Sequence, residues 1–300
     1  MIQVLLAPTA DLARHIYADI TVEAEYGSFV AEGGIYTAAH HQPVGSPFAG
    51  RHVVEGGRPS PCNDNNIPRL ATGVILVSHV DLDTFGGCLR AMGYSGLFVQ
   101  KFQPFWDLAE FVDTNGAHKL ARAGASTEDV RRLYAYWAWA KESTPRFPRD
   151  TVSDITHVVL CVGVALSSIF EVGMPVNHKL LAKGDAFRVE EAGLNRRTFF
   201  YRSGQILVRR AKVQAEFVNH LYAEPDGAPA KGVVTLNDET GAITLSIADP
   251  TPGVSCREIA QKLWGEEAGG HDGIAGSPRG VRYGLTELAE ATNALEIALL

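Results

Sequence analysis

The residues best suited to chemistry are three metal-ligand side chains at alternate positions, His79, Asp81 and Asp83, which follow an apolar run at residues 74–77. Such a run predicts a buried strand, and open α/β sheets bind ligands beyond the carboxyl ends of their strands. If the chain stays extended, the alternation places the three side chains on one side. Two carboxylates and an imidazole held so close favour a bound cation, because the carboxylates otherwise repel each other. The alternative is a solvated, aspartate-rich turn after a strand.

Two adjacent histidines, His40 and His41, follow a strand-like segment at residues 35–37. One could bind a metal and the other a substrate oxygen, because the charge of an imidazole adjusts near neutral pH. An exposed pair of loop histidines is the alternative interpretation.

A third cluster begins at Asp113, which follows the apolar residues Phe111 and Val112 and precedes a glycine turn. This layout resembles that of the acidic run, so Asp113 could bridge two cations, with His118 as a ligand or orienting group. An Asx-turn that caps a helix explains the same residues equally well.

A glycine-rich turn, Gly269-Gly270-His271, follows a predicted helix at residues 255–264. Paired glycines let backbone N–H groups approach an anion closely, and the histidine can donate to a phosphate or a base edge. We favour a binding role over a purely conformational one, because the histidine is embedded among the glycines.

Periodicity predicts an α/β fold, with a mainly parallel sheet and flanking helices, plus a smaller C-terminal α/β or α+β domain. In the first part we expect strands at 2–6, 34–37, 74–78 and 96–100, and helices at 10–20, 87–92, 106–111 and 126–142. Gly86 and Gly87 predict a tight turn into a helix. Residues 43–69 are expected to form a long loop, and residues 157–170 either a buried strand running into a helix or one buried helix.

The second part is predicted to consist mainly of strands, at 198–201, 205–208, 232–236 and 242–247, with a hairpin turn at 237–241. We therefore expect a metal-binding domain at 1–190 and a substrate-binding domain at 191–300.

Composition indicates a globular protein that handles small molecules. Of the 300 residues, 46% are hydrophobic and the formal net charge is −7, which disfavours the basic stripes that clamp duplex nucleic acid. No apolar run reaches the roughly 20 residues of a membrane helix, and the N-terminus lacks the basic region of a signal peptide. Four scattered cysteines form no CxxC pair, so we expect free thiols and a cytoplasmic location.

Together these motifs resemble the DHH phosphoesterase superfamily, which includes RecJ-like exonucleases and oligoribonucleases that act on very short RNA. The run from His79 to Gly87 looks like its first motif. The stretch 243–276, with Glu258-Ile259-Ala260 and the Gly-Gly-His turn, is similar to its associated C-terminal domain and is the more specific match.

The resemblance implies a metal-dependent phosphoesterase with two divalent cations, expected to be Mn²⁺. His79 and Asp81 would bind one ion, Asp83 and His40 would bind the other, and Asp113 would lie between them. Such paired ions activate a water and stabilise the charge that develops on a phosphate.

The resemblance also implies a small phosphorylated nucleotide or short oligonucleotide as substrate, with no membrane partner and with a homodimer as a compatible assembly. His41 would contact the scissile phosphate and, with Asp113, act in catalysis. Gly269, Gly270 and His271 would hold the far end of the substrate.

The sequence departs from the superfamily at the histidine doublet. The superfamily's Asp-His-His follows the first motif, whereas Ala39-His40-His41 precedes it here, which implies a rearranged catalytic sheet. The glycine turn is also one glycine short. Asp64 or Asp154 is expected to supply a fourth acidic ligand.

Two other functions fit the same residues. A catalytically altered relative could bind a nucleotide or a tRNA end without hydrolysis, because Ala39 stands in place of the superfamily's aspartate. A mononuclear metallohydrolase of another class would use His40, His52 and His79.

Overall fold

The computed structural model describes residues 1–26, 29–40, 59–115, 117, 120, 123–197, 199–203, 206–211, 230–249, 251–270, 272–278 and 280–300. The chain divides into two compact units. The first comprises Met1–Glu110 and Ala125–Phe187, and the second comprises Phe111–Gly124 and Arg188–Leu300.

The first unit is built on a mainly parallel sheet. Its strands among the described residues are β1 (Ile2–Leu6), β2 (Ile20–Val22), β5 (Tyr36–Ala38), β6 (Gly73–Val77) and β7 (Ser153–Asp154). They are ordered β5-β2-β6-β1-β7, and only β7 is antiparallel to its neighbour. Separately, β3 (Glu25–Tyr26) pairs antiparallel with β4 (Phe29–Val30).

The register of the sheet decides where the ligand-type residues emerge. Val22 pairs with Ala38 on one side and with Val77 on the other, so three neighbouring strands end at the same level. Because the strands are parallel, the residues after all three share one edge of the sheet. Glu23 is one of these residues, immediately after β2.

Two helices of the first unit, Leu82–Ala91 and Thr156–Phe170, pack against this sheet. The helices described in this unit are α1 (Ala10–Ala13), α2 (Leu82–Ala91), α3 (Gln103–Asn115), α4 (Thr127–Ser143), α5 (Thr156–Phe170) and α6 (His178–Arg197), with α3 and α6 running on into the second unit. Helix α2 packs against β2, and α5 packs against β1 and α2. Two short 3₁₀ turns, Ser95–Phe98 and Gln100–Phe102, precede α3.

The described residues of the second unit form a mainly antiparallel sheet that packs against helices. Its strands are β8 (Phe199–Ser203), β9 (Ile206–Ala211), β10 (Gly232–Asn237), β11 (Ile243–Ile247), β12 (Gly269–Gly270) and β13 (Ile274–Gly276), ordered β12-β13-β11-β10-β9-β8. Among the strands described in this unit, only β9 and β10 pair in parallel. Helices α7 (Cys256–Trp264) and α8 (Leu285–Ala298) pack on this sheet and share its apolar core.

The α/β class with a mainly parallel sheet and a separate C-terminal sheet unit is confirmed. Residues 157–170 fall within one helix rather than a strand and a helix. Asn237 and Gly241 close the predicted hairpin, since the Gly241 amide donates to the Asn237 carbonyl over 2.7 Å.

Several predicted elements were wrong. The helix expected at 10–20 ends at Ala13, and Ile20 already begins a strand. The strand expected at 96–100 is replaced by the two 3₁₀ turns. Gly86 lies inside α2 rather than in a turn before it, where its missing side chain allows close packing against Cys62.

Within the part of the chain that the structure describes, no helix combines the length and the apolar character needed to cross a bilayer.

Candidate metal centre

The candidate centre lies at the carboxyl edge of the parallel sheet. Glu23 follows β2, His40 comes two residues after β5, and His79 comes two residues after β6. Asp81 and Asp83 join them from the start of α2. The sequence therefore delivers five ligand-type side chains to one place from three strand ends and one helix start.

The buried group consists of Glu23, His40 and Asp83. Nδ1 of His40 lies 2.6 Å from Oε1 of Glu23 and 3.5 Å from Oδ2 of Asp83. Their side chains are 0%, 6% and 2% exposed, in the order Glu23, His40, Asp83. One imidazole and two carboxylates are thus held together almost out of contact with water.

The open group consists of Glu23, His79 and Asp81. Nε2 of His79 lies 3.0 Å from Oε2 of Glu23 and 2.9 Å from Oδ2 of Asp81. The His79 and Asp81 side chains are 34% and 37% exposed. This group therefore faces solvent, whereas the buried group does not.

Glu23 belongs to both groups, with one carboxylate oxygen directed to each. Within each group the ligand atoms all lie within 4.8 Å of one another. Glu23 also has a left-handed backbone, with φ of 49°, a conformation that is uncommon for glutamate and clusters at functional sites. A carboxylate shared in this way can bridge two cations.

Asp81 is fixed by the start of α2. Its carboxylate accepts a hydrogen bond from the Thr84 amide over 2.8 Å, as the N-cap of the helix. The alternation expected over residues 79–83 is therefore wrong, because the strand ends at Val77 and Asp83 lies in the first helical turn. The helix start, rather than an extended strand, brings the two aspartates to the site.

The carboxylate oxygen of Asp83 that does not face His40 is bound by the turn at residues 60–62. Its Oδ1 accepts hydrogen bonds from the Ser60 hydroxyl over 2.5 Å and from the Cys62 amide over 2.7 Å. Its Oδ2 is the oxygen that faces His40. Ser60 and Cys62 thus orient one oxygen of Asp83 toward the buried group.

In the open group, His79 and Asp81 shift each other's pKa. Burial alone would lower the pKa of His79, but the charges and hydrogen bonds of Asp81 and Glu23 outweigh it and raise that pKa well above its ordinary value. Burial opposes ionisation of Asp81, yet the attraction of His79 lowers the pKa of Asp81. A positive charge at Nε2, from a proton or a cation, is therefore strongly favoured.

Four of the residues predicted from sequence are brought together in the pairs expected: His79 with Asp81, and His40 with Asp83. Asp113 is in neither group that the described residues form. It lies within α3, and it belongs to the second unit. The structure places Glu23 in the shared position predicted for Asp113.

Asp64 and Asp154, the two residues expected to offer a fourth acidic ligand, lie elsewhere in the first unit. Asp64 is buried and accepts a hydrogen bond from the Tyr36 hydroxyl over 2.6 Å. Asp154 pairs with Gln3 near the surface. Neither is in the groups found among the described residues.

The sequence did not predict Glu23 as a ligand, because the helix predicted at 10–20 overlaps the start of β2, the strand that precedes Glu23. The signal was present in Ile20-Thr21-Val22, a short β-branched run that ends in an acidic residue. The layout is the same as that of residues 74–81.

The remaining predicted histidines, His41, His52, His118 and His271, lie outside the described residues. Gly269 and Gly270 form β12 and are exposed. Gly270 has φ of 145°, and a Cβ there would lie 2.4 Å from the Ile274 carbonyl oxygen, so this position requires glycine.

Comparison with known protein families gives no match, and no curated protein matches the chain. Among solved structures, an uncharacterized protein from Helicobacter pylori G27 aligns over 75% of this chain and 68% of its own, with 10% identity and a TM-score of 0.20. At that TM-score the likeness carries no information about function.

Proposed function

We propose that this chain is a metal-dependent phosphoesterase that hydrolyses phosphate esters of small nucleotides or short oligonucleotides. The observation that supports it best is the fully buried Glu23 carboxylate shared between two His–Asp pairs. The resemblance to DHH phosphoesterases supplies the reaction class.

The donor set suits two divalent cations such as Mn²⁺. Three carboxylates and two imidazoles are the oxygen and nitrogen donors that such ions accept. Two of the three carboxylates, those of Glu23 and Asp83, are buried, and like charges in a poorly hydrated place are costly without positive charge between them. When bound, a pair of such cations supplies an activated water and charge stabilisation at the phosphate.

The buried and the exposed residues of the site would have different roles. Glu23, His40 and Asp83 are buried and would hold the inner ion, with little room for substrate. His79 and Asp81 are a third exposed and would hold the outer ion, where a phosphate can approach from solvent. The roles proposed for His41, Gly269, Gly270 and His271 in substrate binding stay predictions from the sequence.

The direct test is Mn²⁺-dependent release of mononucleotide from dinucleotides, with inorganic phosphate release from mononucleotides measured in parallel. We expect Glu23→Gln to abolish activity and to weaken binding of both cations, because it removes the charge that the two groups share. Glu32→Gln is the matched control, since Glu32 is an exposed glutamate just before β5. Wild-type activity in Glu23→Gln, or no turnover with several metals, would contradict the proposal.

A non-hydrolytic relative that binds a nucleotide or a tRNA end is the second proposal. It is favoured by Ala39, a buried apolar residue where the resemblance expects an aspartate. Binding of a nucleotide to metal-free protein, with no turnover after Mn²⁺ is added, would support this second function over the first.

A further inference from the structure

Ser78 stands between the end of β6 and the open group, and its hydroxyl contacts two ligand-bearing residues. The hydroxyl donates to the backbone carbonyl oxygen of Glu23 and lies 2.8 Å from Nδ1 of His79. Ser78 thus links the residue after β2 to the histidine after β6.

The protons in this contact can be assigned by elimination. A serine hydroxyl has one proton to donate, and a carbonyl oxygen can only accept. Because that proton goes to Glu23, the Ser78 oxygen must accept from His79, so Nδ1 of His79 carries a proton. The other ring nitrogen, Nε2, is the one that faces the carboxylates of Glu23 and Asp81.

We propose that Ser78 is a positioning residue that selects the Nδ1–H tautomer of His79 and so presents its Nε2 lone pair as the metal ligand. Outer hydrogen bonds of this kind fix the tautomer and the ring orientation of metal-binding histidines. The part of this inference that concerns a cation rests on the proposed function. The Nδ1 hydrogen bond itself does not.

The same hydroxyl supports the backbone of the shared ligand. Glu23 has φ of 49°, and a residue in that region needs its surroundings to hold it there. The bond from Ser78 fixes the Glu23 carbonyl, and Thr84 donates to the Glu23 carboxylate at Oε2 over 3.0 Å. Ser78 therefore positions His79 and Glu23 relative to each other.

The test uses the full chain labelled with ¹⁵N. In metal-free wild type we expect an NMR signal from a hydrogen-bonded Nδ1 proton of His79, assigned by its loss in His79→Gln. Ser78→Ala should lose that signal and Ser78→Thr, which keeps the hydroxyl, should retain it. After Zn²⁺ is added, the ¹⁵N shifts of wild type should show the ion on Nε2.

Zn²⁺ calorimetry completes the test. Ser78→Ala should weaken binding at the open group by about tenfold or more, and Ser78→Thr should restore it. Ser168→Ala is the control, because it deletes another hydroxyl of the first unit that donates to a backbone carbonyl, that of Ala165, over 2.8 Å.

The inference is overturned if Ser78→Ala keeps the protected Nδ1 proton, or if Zn²⁺ binds wild-type His79 through Nδ1. If wild type shows the Nδ1 proton but binds no metal, the proposed function fails and the tautomer assignment stands. Should Ser78→Ala not fold, the wild-type and Ser78→Thr spectra still decide which nitrogen carries the proton.

Discussion

A carboxylate buried as fully as that of Glu23 needs positive charge nearby, because desolvation of an ion costs several kcal/mol. The imidazoles of His40 and His79 contact it from two directions, and each also faces an aspartate. The protonation or ligation of one pair therefore changes the field felt by the other.

Substituting the two aspartates one at a time should distinguish the two proposed cation sites. We expect Asp81→Asn to lower cation stoichiometry from two to one by removing the outer site, and Asp83→Asn to do the same by removing the inner site. Asparagine can still cap α2 and can still accept from Ser60 and Cys62, so the fold should persist. Metal analysis after dialysis measures the outcome, and loss of both ions in both variants would argue against separate sites.

Cation binding to the open group should strengthen as pH rises. The raised pKa of His79 means that Nε2 holds a proton which the cation must displace. Below that pKa, affinity should rise by up to about tenfold per pH unit, and above it affinity should level off. Calorimetric titrations in buffers with different enthalpies of ionisation measure how many protons are released when the cation binds. A pH-independent affinity over this range would contradict displacement.

At the level of elements, the sequence predicted best where pattern and tertiary context agree. The apolar runs that became β1 and β6, and the Ser126-capped helix α4, were predicted close to their observed bounds. The 3₁₀ turns at Ser95–Phe98 and Gln100–Phe102 were mistaken for a strand, because a short apolar run does not distinguish the two.

The candidate site was predictable in part for the same reason. His79, Asp81 and Asp83 follow a strong strand signal, so their convergence could be expected. Glu23 follows a strand of only three residues, which propensity alone does not reveal. The bridging role of Asp113 stays a prediction, and an apolar residue before an acidic one can equally belong to a helix, as it does at α3.

Close packing of α2 is needed to place Asp83. A Cβ at Gly86 would lie 2.4 Å from Cβ and 2.9 Å from Cα of Cys62, in the turn that binds Asp83. We expect Gly86→Ala to destabilise the fold by about 1–3 kcal/mol through overpacking, despite a gain of up to about 1 kcal/mol in helix propensity. The same substitution should weaken binding of the inner ion.

Urea unfolding and metal titration measure these two effects. The control is Gly273→Ala, where a Cβ meets no atom within 4 Å and little change is expected. If Gly86→Ala were as stable and as metal-competent as wild type, the turn at residues 60–62 would not be needed to position Asp83.

At the level of the whole molecule, the ligand groups belong to the first unit, and the second unit has its own apolar core. A ligand that binds only the folded state stabilises it by about 2.7 kcal/mol at a hundred times its dissociation constant. Mn²⁺ should therefore slow amide hydrogen exchange in β2 and β6, and should leave β10 and β11 unchanged.

Mass-spectrometric exchange with and without Mn²⁺ tests this, with Glu23→Gln as the variant in which the protection should vanish. Equal protection of β10 and β11 would show that the cation acts on the second unit as well.

The ligand-type residues are synthesised in an order that matters for when a cation could bind. Glu23 and His40 emerge well before His79, Asp81 and Asp83, and β6, which precedes the last three, must first insert between β1 and β2. A nascent chain that stops at Val77 has none of those three, so it cannot capture an ion at either group. On the proposed function, cation capture would therefore require that β6 has inserted between β1 and β2, and protein made without the metal would have central strands that are easier for proteases to open.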